Sequence, residues 1–329
     1  MKTFAKPFIA IAIAVGLIAT PLAASAVGTR TLATNNKLYG FDGAGAGTYG
    51  NLSQLNELTG GSTAIGTRGT FSPTGYPLQA AFDVTSNSIY WINSDVQNSI
   101  PNYLMKANIT TGVSTMVGEF KEGATAKPID SMAIAPTGEV YGFSDTQFFS
   151  IDKNTAALTL ISNDTGQNRI YSFAYNPADS NFYAISNDTD GGLYAVTVAT
   201  GALIQIRTIA DFPNLGSGNV TNAKRVYSMA FDQSGNLWGV NLSGDLFSTV
   251  VTGTDAADFV TGIQEVGTPG QTWTNSIAIT YPAPVQNNTG GGLANTGTNS
   301  DLTNGLSAAA LAALFAGVAM LYFARRSSN

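Results

Sequence analysis

Asp83 and Asp232 end two matching pentapeptides, QAAFD (79–83) and SMAFD (228–232). Carboxylates in equivalent places could serve as acid and base, or as acid and nucleophile, at a glycosidic bond, and that chemistry needs no histidine. The point matters because the chain has no histidine and no cysteine. Those absences exclude a Ser-His-Asp triad, a His-ligated zinc site, histidine acid–base catalysis and a disulfide framework. Three further copies of the pentapeptide put Ala135, Asn176 and Thr280 where an acid would stand, so the carboxylates form no ring. A surface glycan hydrolase is therefore the alternative reading rather than the first.

A second set of residues suits binding. Asp95, Lys121, Asp130, Arg169, Tyr171, Asp188, Asp190, Lys224, Arg225 and Tyr227 fall in or beside the longer segments between apolar runs. Arginine, tyrosine and carboxylate gathered at a concave mouth can hold a sugar or a peptide. The candidate ligand-binding residues are Asp130, Arg169, Tyr171, Asp188, Asp190, Arg225 and Tyr227. Asp188 and Asp190 sit in SNDTDGG, a fragment of a calcium-loop pattern. The distal bidentate glutamate is missing, and an Asx-type turn accounts for the same residues. No metal site and no cofactor is expected, with calcium as the one ion the pattern leaves open. Gly45-Ala46-Gly47-Thr48-Tyr49-Gly50 spells G-x-G-x-x-G, yet polar NLSQLNELTGG follows it instead of a helix, which removes the dinucleotide reading.

The elements that must position these residues show in the composition and then in a repeat. Charged residues are only 11% of the 329, while Gly, Ser, Thr and Asn are abundant, a balance that favours turn-rich β structure over helices. Residues 27–296 carry 11 bases against 20 acids, a net −9. Such a surface excludes a nucleic-acid partner, which needs concentrated Lys and Arg. A small-residue strand recurs as QAAFD, SMAIA, SFAYN, SMAFD and SIAIT, centred on Ala81, Ala133, Ala174, Ala230 and Ala278. An aromatic strand recurs as LYGF, IYWI, VYGF, FYAI and LWGV, centred on Tyr39, Tyr90, Tyr141, Tyr183 and Trp238. Third strands (YLMKANI, FFSIDK, GLYAVTV, DLFSTVV) and fourth strands (VSTMVG, IQEVG) follow.

Four short strands at a period near ~50 residues describe the blades of a β-propeller. The expectation is an all-β chain with a single five-bladed β-propeller over 27–282; an array of β-sandwiches is the main alternative. SIAIT (276–280) has no aromatic strand after it, and LYGF (38–41) has no clear small-residue strand before it. The economical solution pairs these two and closes the ring with strands from both ends. Turns between first and second strands (VTSNS, PTG, QSG) are short, whereas 118–130, 208–227 and the second-to-third loops are long. Long loops carry function more often than tight turns, so the binding site is expected on the long-loop rim. The phrasing LY-x-[FIV] … TG … IG resembles the degenerate propeller repeats of many secreted bacterial proteins.

The two ends read as addresses. Residues 1–26 combine Lys2 and Lys6, an apolar middle and Ala24-Ser25-Ala26, the pattern of a cleaved signal peptide. Residues 283–304 have linker composition and contain LANTG; 305–324 are apolar and long enough to cross a bilayer; 325–329 form a basic tail that favours the cytoplasmic side. A lipid-anchor signal also ends in an apolar tail, but the trailing Arg325 and Arg326 argue against it. LANTG, an apolar span and a basic tail in that order resemble the cell-wall sorting signal of Gram-positive surface proteins, in the L-A-x-T-G form handled by class E sortases. The resemblance implies that Leu293, Ala294 and Asn295 are recognition positions and that Thr296–Gly297 is the scissile bond. It further implies processing by a sortase, covalent attachment to peptidoglycan, and display on the cell surface after a membrane-retained stage. The expected function is a wall-displayed binding or adhesion module for a glycan or protein. A surface hydrolase and a passive coat or spacer protein are the alternatives.

Overall fold

Five copies of the repeat fold into five antiparallel sheets of four strands each. A computed structural model describes residues 32–42, 50–69, 75–95, 100–166, 169–186, 192–208, 226–241, 246–251, 264–267 and 274–282. The strands, in chain order, are β1 (Lys37–Asp42), β2 (Leu52–Leu55) and β3 (Ser62–Ala64), then β4 (Tyr76–Asp83), β5 (Ser88–Asp95), β6 (Ile100–Asn108) and β7 (Ser114–Glu119). A small hairpin follows, β8 (Lys121–Glu122) and β9 (Thr125–Ala126). The third group is β10 (Ser131–Ile134), β11 (Val140–Ser144), β12 (Gln147–Ile151) and β13 (Leu158–Ser162), and the fourth is β14 (Ile170–Asn176), β15 (Asn181–Ser186), β16 (Gly192–Thr197) and β17 (Ala202–Thr208). The last are β18 (Val226–Phe231), β19 (Asn236–Asn241), β20 (Leu246–Val250), β21 (Gln264–Gly267) and β22 (Thr274–Thr280).

Four blades take their strands in sequence order: β4 to β7, β10 to β13, β14 to β17 and β18 to β21. The first blade is ordered β22-β1-β2-β3, so its innermost strand comes from the far end of the propeller. Leu38 pairs with Ile279, Tyr39 with Ala278 and Gly40 with Ile277. SIAIT therefore closes the ring beside LYGF, as the unmatched strands require. The inner strands touch in the cyclic order β22, β4, β10, β14, β18 and back to β22. This is a five-bladed β-propeller.

Each blade is apolar on both faces because it is covered on both sides by neighbours. The buried side chains divide into five clusters, one at each junction between adjacent blades. Tyr90, Ile92 and Leu104 of the second blade meet Met132, Ile134 and Phe149 of the third. Phe143 and Phe148 of the third meet Phe173 and Phe182 of the fourth, with the Phe143 and Phe173 rings edge-on at 4.9 Å. Trp91 and Trp238, both fully buried, fill the junctions on either side of the closing blade. The glycine of the aromatic strand has a packing cause: a Cβ on Gly239 would stand 2.3 Å from the Phe247 ring.

The axis is narrow. The five central alanines line it beside the backbone, and the remaining cavity is about 30 Å³, enough for a water but not for a sugar. One step toward the long-loop rim, Gln79, Ser131, Ser172, Ser228 and Ser276 form a second ring, all fully buried. The Gln79 amide crosses the axis, its Nε2 lying 3.4 Å from the Phe173 carbonyl and 3.3 Å from that of Met229. Ser172 Oγ donates to Gln79 Oε1 at 3.3 Å. Gln79 thus plugs the channel between the two faces.

The register also places the chain ends. Lys37 and Thr280 are paired at the same end of the closing blade, next to the short turns. Asn36 and Pro282 are both held by Gln233, in the tight β18–β19 turn: Gln233 N donates to Asn36 Oδ1 at 3.2 Å, and Gln233 Nε2 lies 3.4 Å from the Pro282 carbonyl. Contacts divide the chain into Met1–Ala283 and Pro284–Asn329, and all described residues belong to the first unit. No helix among the described residues is long and apolar enough to cross a membrane; 1–26 and 305–324 lie outside them.

Candidate ligand-binding rim

Each inner strand begins at the long-loop rim, and in four blades its pairing shifts register near that start, in the second blade between Pro77 and Ala80 and in the closing blade opposite Phe41 and Asp42. The β14–β15 register shifts between Ile170 and Ser172, leaving Tyr171 as the extra residue. The β18–β19 register shifts between Val226 and Ser228, leaving Tyr227 as the extra one. A bulge of this kind re-aims a side chain at the end of a ladder. Both tyrosines are half-buried. In the third blade the matching position is Asp130, just ahead of β10, whose N–H bonds the Phe143 carbonyl at 2.8 Å.

Asp130, Arg169 and Tyr171 come together. Arg169 Nη2 donates to Asp130 Oδ1 at 3.0 Å, and the guanidinium carbon lies 4.8 Å from the centre of the Tyr171 ring. Asp130 Oδ2 accepts the Asp145 N–H at 3.0 Å. Asp145 lies in the two-residue loop between β11 and β12 with φ 48°, a left-handed geometry that Asp tolerates. The Asp130 side chain is 12% exposed and that of Arg169 42%. Burial pushes the Asp130 carboxyl above its ordinary value, and the Asp145 N–H and the Arg169 charge only partly offset this. Burial also works against the Arg169 charge, but there the Asp130 carboxylate more than compensates and the guanidinium is raised. The carboxylate is the more deeply covered partner, so desolvation governs it while attraction governs the arginine. Arg169 Nε is buried without a hydrogen-bond partner.

The other predicted residues divide. Asp188, Asp190 and Arg225, with Lys224, lie outside the described residues, as does the whole sorting motif Leu293, Ala294, Asn295, Thr296 and Gly297. Lys121 is on β8 and pairs with Glu119 at 2.5 Å. Segment 118–130 is less of a loop than its composition suggests. β7 runs to Glu119, the β8–β9 hairpin follows, Phe120 and Ile129 are fully buried, and Asn102 Nδ2 ties the Ile129 carbonyl at 2.9 Å. Among the described residues, no group of three or more carboxylates is placed to hold a metal ion.

Asp83 and Asp232 lie at the opposite, short-turn end, and both are fully buried. Asp83 accepts from Thr85 N, Thr85 Oγ1 and Ser86 Oγ, and pairs with Lys153 of the next blade at 2.8 Å. Burial pushes its pKa up, but Lys153, Thr85 and Ser86 together hold it below the ordinary carboxylate range. Asp232 Oδ1 accepts from Ser234 N and Asn236 N, and Oδ2 from Asn236 Nδ2 and from Ala33 N on the entering chain. Every carboxylate oxygen is committed to a turn or to an inter-blade tie. These are structural acids.

Sequence reasoning missed Lys153, which no motif marks, and the plug Gln79. The second had a signal: glutamine stands where the other copies of the repeat have Ser131, Ser172, Ser228 and Ser276.

The class these features define is a five-bladed β-propeller with an axis too narrow for a sugar and an Arg–Asp–Tyr cluster on its long-loop rim. No protein-family model matches the sequence, and no curated protein matches it. Several solved structures are similar. A protein of unknown function from Bacteroides thetaiotaomicron is 18% identical, with 78% of this chain and 68% of that one covered and a TM-score of 0.45. TolB from Acinetobacter baumannii is 13% identical over 72% of this chain and 54% of its own, with a TM-score of 0.42. A symmetrical protein from a study of de novo evolutionary emergence is 14% identical, over 76% and 99%, with a TM-score of 0.44. Likeness at this level carries no functional argument.

Proposed function

We propose that this is a wall-displayed surface protein whose propeller binds a glycan or a protein through its long-loop face. The observation that carries the reading is the cluster of Asp130, Arg169 and Tyr171, in which a half-exposed cation is stacked on an aromatic ring and oriented by a mostly covered carboxylate. The first and last strand residues, Lys37 and Thr280, pair at the short-turn end, so neither occupies the long-loop rim. The small axial cavity and the committed acids Asp83 and Asp232 weigh against a hydrolase. Display itself rests on the sequence signals, the leader at 1–26 and LANTG followed by an apolar span and Arg325-Arg326.

Two measurements test the reading. In a Gram-positive host with a class E sortase, Thr296→Ala should move the chain from the wall fraction to the membrane fraction; an unchanged distribution removes the sorting assignment. Cells displaying the full chain should adhere to one class in a panel of wall polymers, host-type glycans and surface proteins. Arg169→Ala together with Arg225→Ala should abolish that adhesion while lowering the unfolding midpoint only by the few degrees that unpairing Asp130 costs, so the protein stays folded at the assay temperature. Adhesion to nothing in the panel would favour a coat or spacer role.

A further inference from the structure

Resting on the reading of the rim as a binding face, we propose that the Asp130–Arg169–Tyr171 cluster takes a neutral sugar, gripping two hydroxyls on adjacent ring carbons. The chemistry follows from what the pair can still offer. Arg169 has five N–H donors; Nη2 bonds Asp130 and the side chain also bonds Tyr171, which leaves part of the donor set of a half-exposed guanidinium unspent. Asp130 takes one bond on each oxygen, from Arg169 and from the Asp145 N–H, and each carboxylate oxygen has capacity for a second.

Donor and acceptor therefore lie side by side, 3.0 Å apart, held by an ion pair and by a backbone bond. A hydroxyl both gives and accepts a hydrogen bond, so two neighbouring hydroxyls can satisfy such a pair at once. A carboxylate, sulfate or phosphate cannot, because it only accepts. Charge points the same way. Arg169 faces the Asp130 carboxylate, and Asp145 stands on the far side of Asp130, whose pKa it raises by its charge. The cluster bears no net positive charge, and residues 27–296 carry −9 overall. With its arginine already neutralised, the cluster offers an anionic polymer no unpaired cation, whereas a neutral one needs none. Arg169 is itself fixed by stacking on Tyr171 and by Asp130, so little side-chain freedom is lost when a ligand arrives.

The test uses the full chain displayed on cells or purified in detergent. The probes are immobilised dextran, mannan and galactan, the same polymers after periodate has cleaved their vicinal diols, polygalacturonate, sulfated dextran, and gelatin as a protein surface. The expected result is retention on at least one neutral polymer, lost after periodate and competed by the matching free methyl glycoside. Arg169→Lys, which keeps the charge but not the planar fork, and Tyr171→Leu should each weaken that retention tenfold or more. Their thermal midpoints should match the parent, which separates lost binding from lost folding. Arg169-dependent retention on the charged polymers or gelatin alone overturns the neutral-sugar inference and leaves the rim reading standing. Retention on a neutral polymer that survives periodate also overturns the inference. Retention on none of the probes, with the parent folded, overturns both.

Discussion

Replacing Asp232 with alanine separates a structural acid from a catalytic one. Its side chain is fully buried and accepts four hydrogen bonds of 3.3 Å or less, from Ser234 N, Asn236 N, Asn236 Nδ2 and Ala33 N, with Trp238 Nε1 further off at 3.5 Å. Removing the carboxylate strands two turn N–H groups and the N–H of the entering chain in a place water reaches poorly. A hydrogen bond to a charged group is worth about 1.5–3 kcal/mol, and the bonds of one carboxylate are not additive, so the net loss is about 3–5 kcal/mol. For a domain of this size each kcal/mol lowers the melting temperature by ~2–4 °C, which predicts a fall of roughly 6–20 °C. Asp232→Asn keeps one acceptor oxygen but turns an amide N–H₂ toward other donors, and it should fall between the two. The assay is thermal unfolding of the purified full chain followed by near-ultraviolet circular dichroism, since Trp238 packs beside the site. A midpoint within about 1 °C of the parent would refute the assignment, because about 0.5 kcal/mol is the ordinary cost of a harmless substitution.

Lys153→Met removes the cation from buried Asp83 but leaves the Thr85 and Ser86 donors, so a loss of about 1–3 kcal/mol is expected at neutral pH in a denaturant titration. The folded pKa of Asp83 is depressed, so its contribution is present above the unfolded value of about 3.9 and is lost as pH falls through the folded one; the gap between the parent and Lys153→Met should therefore begin to shrink as pH drops past the unfolded value and close only below the folded one, and a gap independent of pH through the acid range would contradict the pairing. Asp130 has the opposite sign: its pKa is raised, so its contribution is present at low pH and declines as pH climbs past the carboxylate range, which urea midpoints of the parent and Asp130→Asn across pH 3–7 would reveal. Gln79→Ala empties the axial plug and leaves the Phe173 and Met229 carbonyls without their shared donor, an expected cost of about 2–4 kcal/mol, whereas Gln79→Ser restores the ring of serines and should cost less. Equal losses for both would show that the amide across the axis contributes nothing. Gly239→Ala drives a methyl into the Phe247 ring and should cost about 1–3 kcal/mol by the same titration; neutrality would mean that β20 yields freely.

The architecture was legible because a propeller writes itself locally. Small residues at Ala81, Ala133, Ala174, Ala230 and Ala278 and aromatics at Tyr39, Tyr90, Tyr141, Tyr183 and Trp238 repeat with the spacing of first and second strands, and each blade needs only its own residues to form its ladder. The unmatched LYGF and SIAIT even indicated the closure, since a ring has no free edge to leave them on. The proximity of Asp130 and Tyr171 to the rim followed from the same alignment. The stacking of Arg169 on Tyr171 and its bond to Asp130 did not, because they depend on the bulge at Tyr171 and on how two neighbouring blades meet.

The residues read with least success are those whose partners lie on another blade. Asp83 and Asp232, equivalent in the repeat, supported a catalytic pair only as the alternative reading, and it is the tertiary structure that gives them their roles by bringing Lys153 to one and the entering chain at Ala33 to the other. Gln79 reaches carbonyls 94 and 150 residues away, contacts that exist only once the ring has closed. The sequence by itself determined the strand pattern, the number of blades and the way the ring shuts, because these follow from alternation and period along the chain. Only the tertiary structure decided which charges are spent on holding the blades together and which remain for a ligand, because a charge takes its role from the partners and the burial that closure gives it.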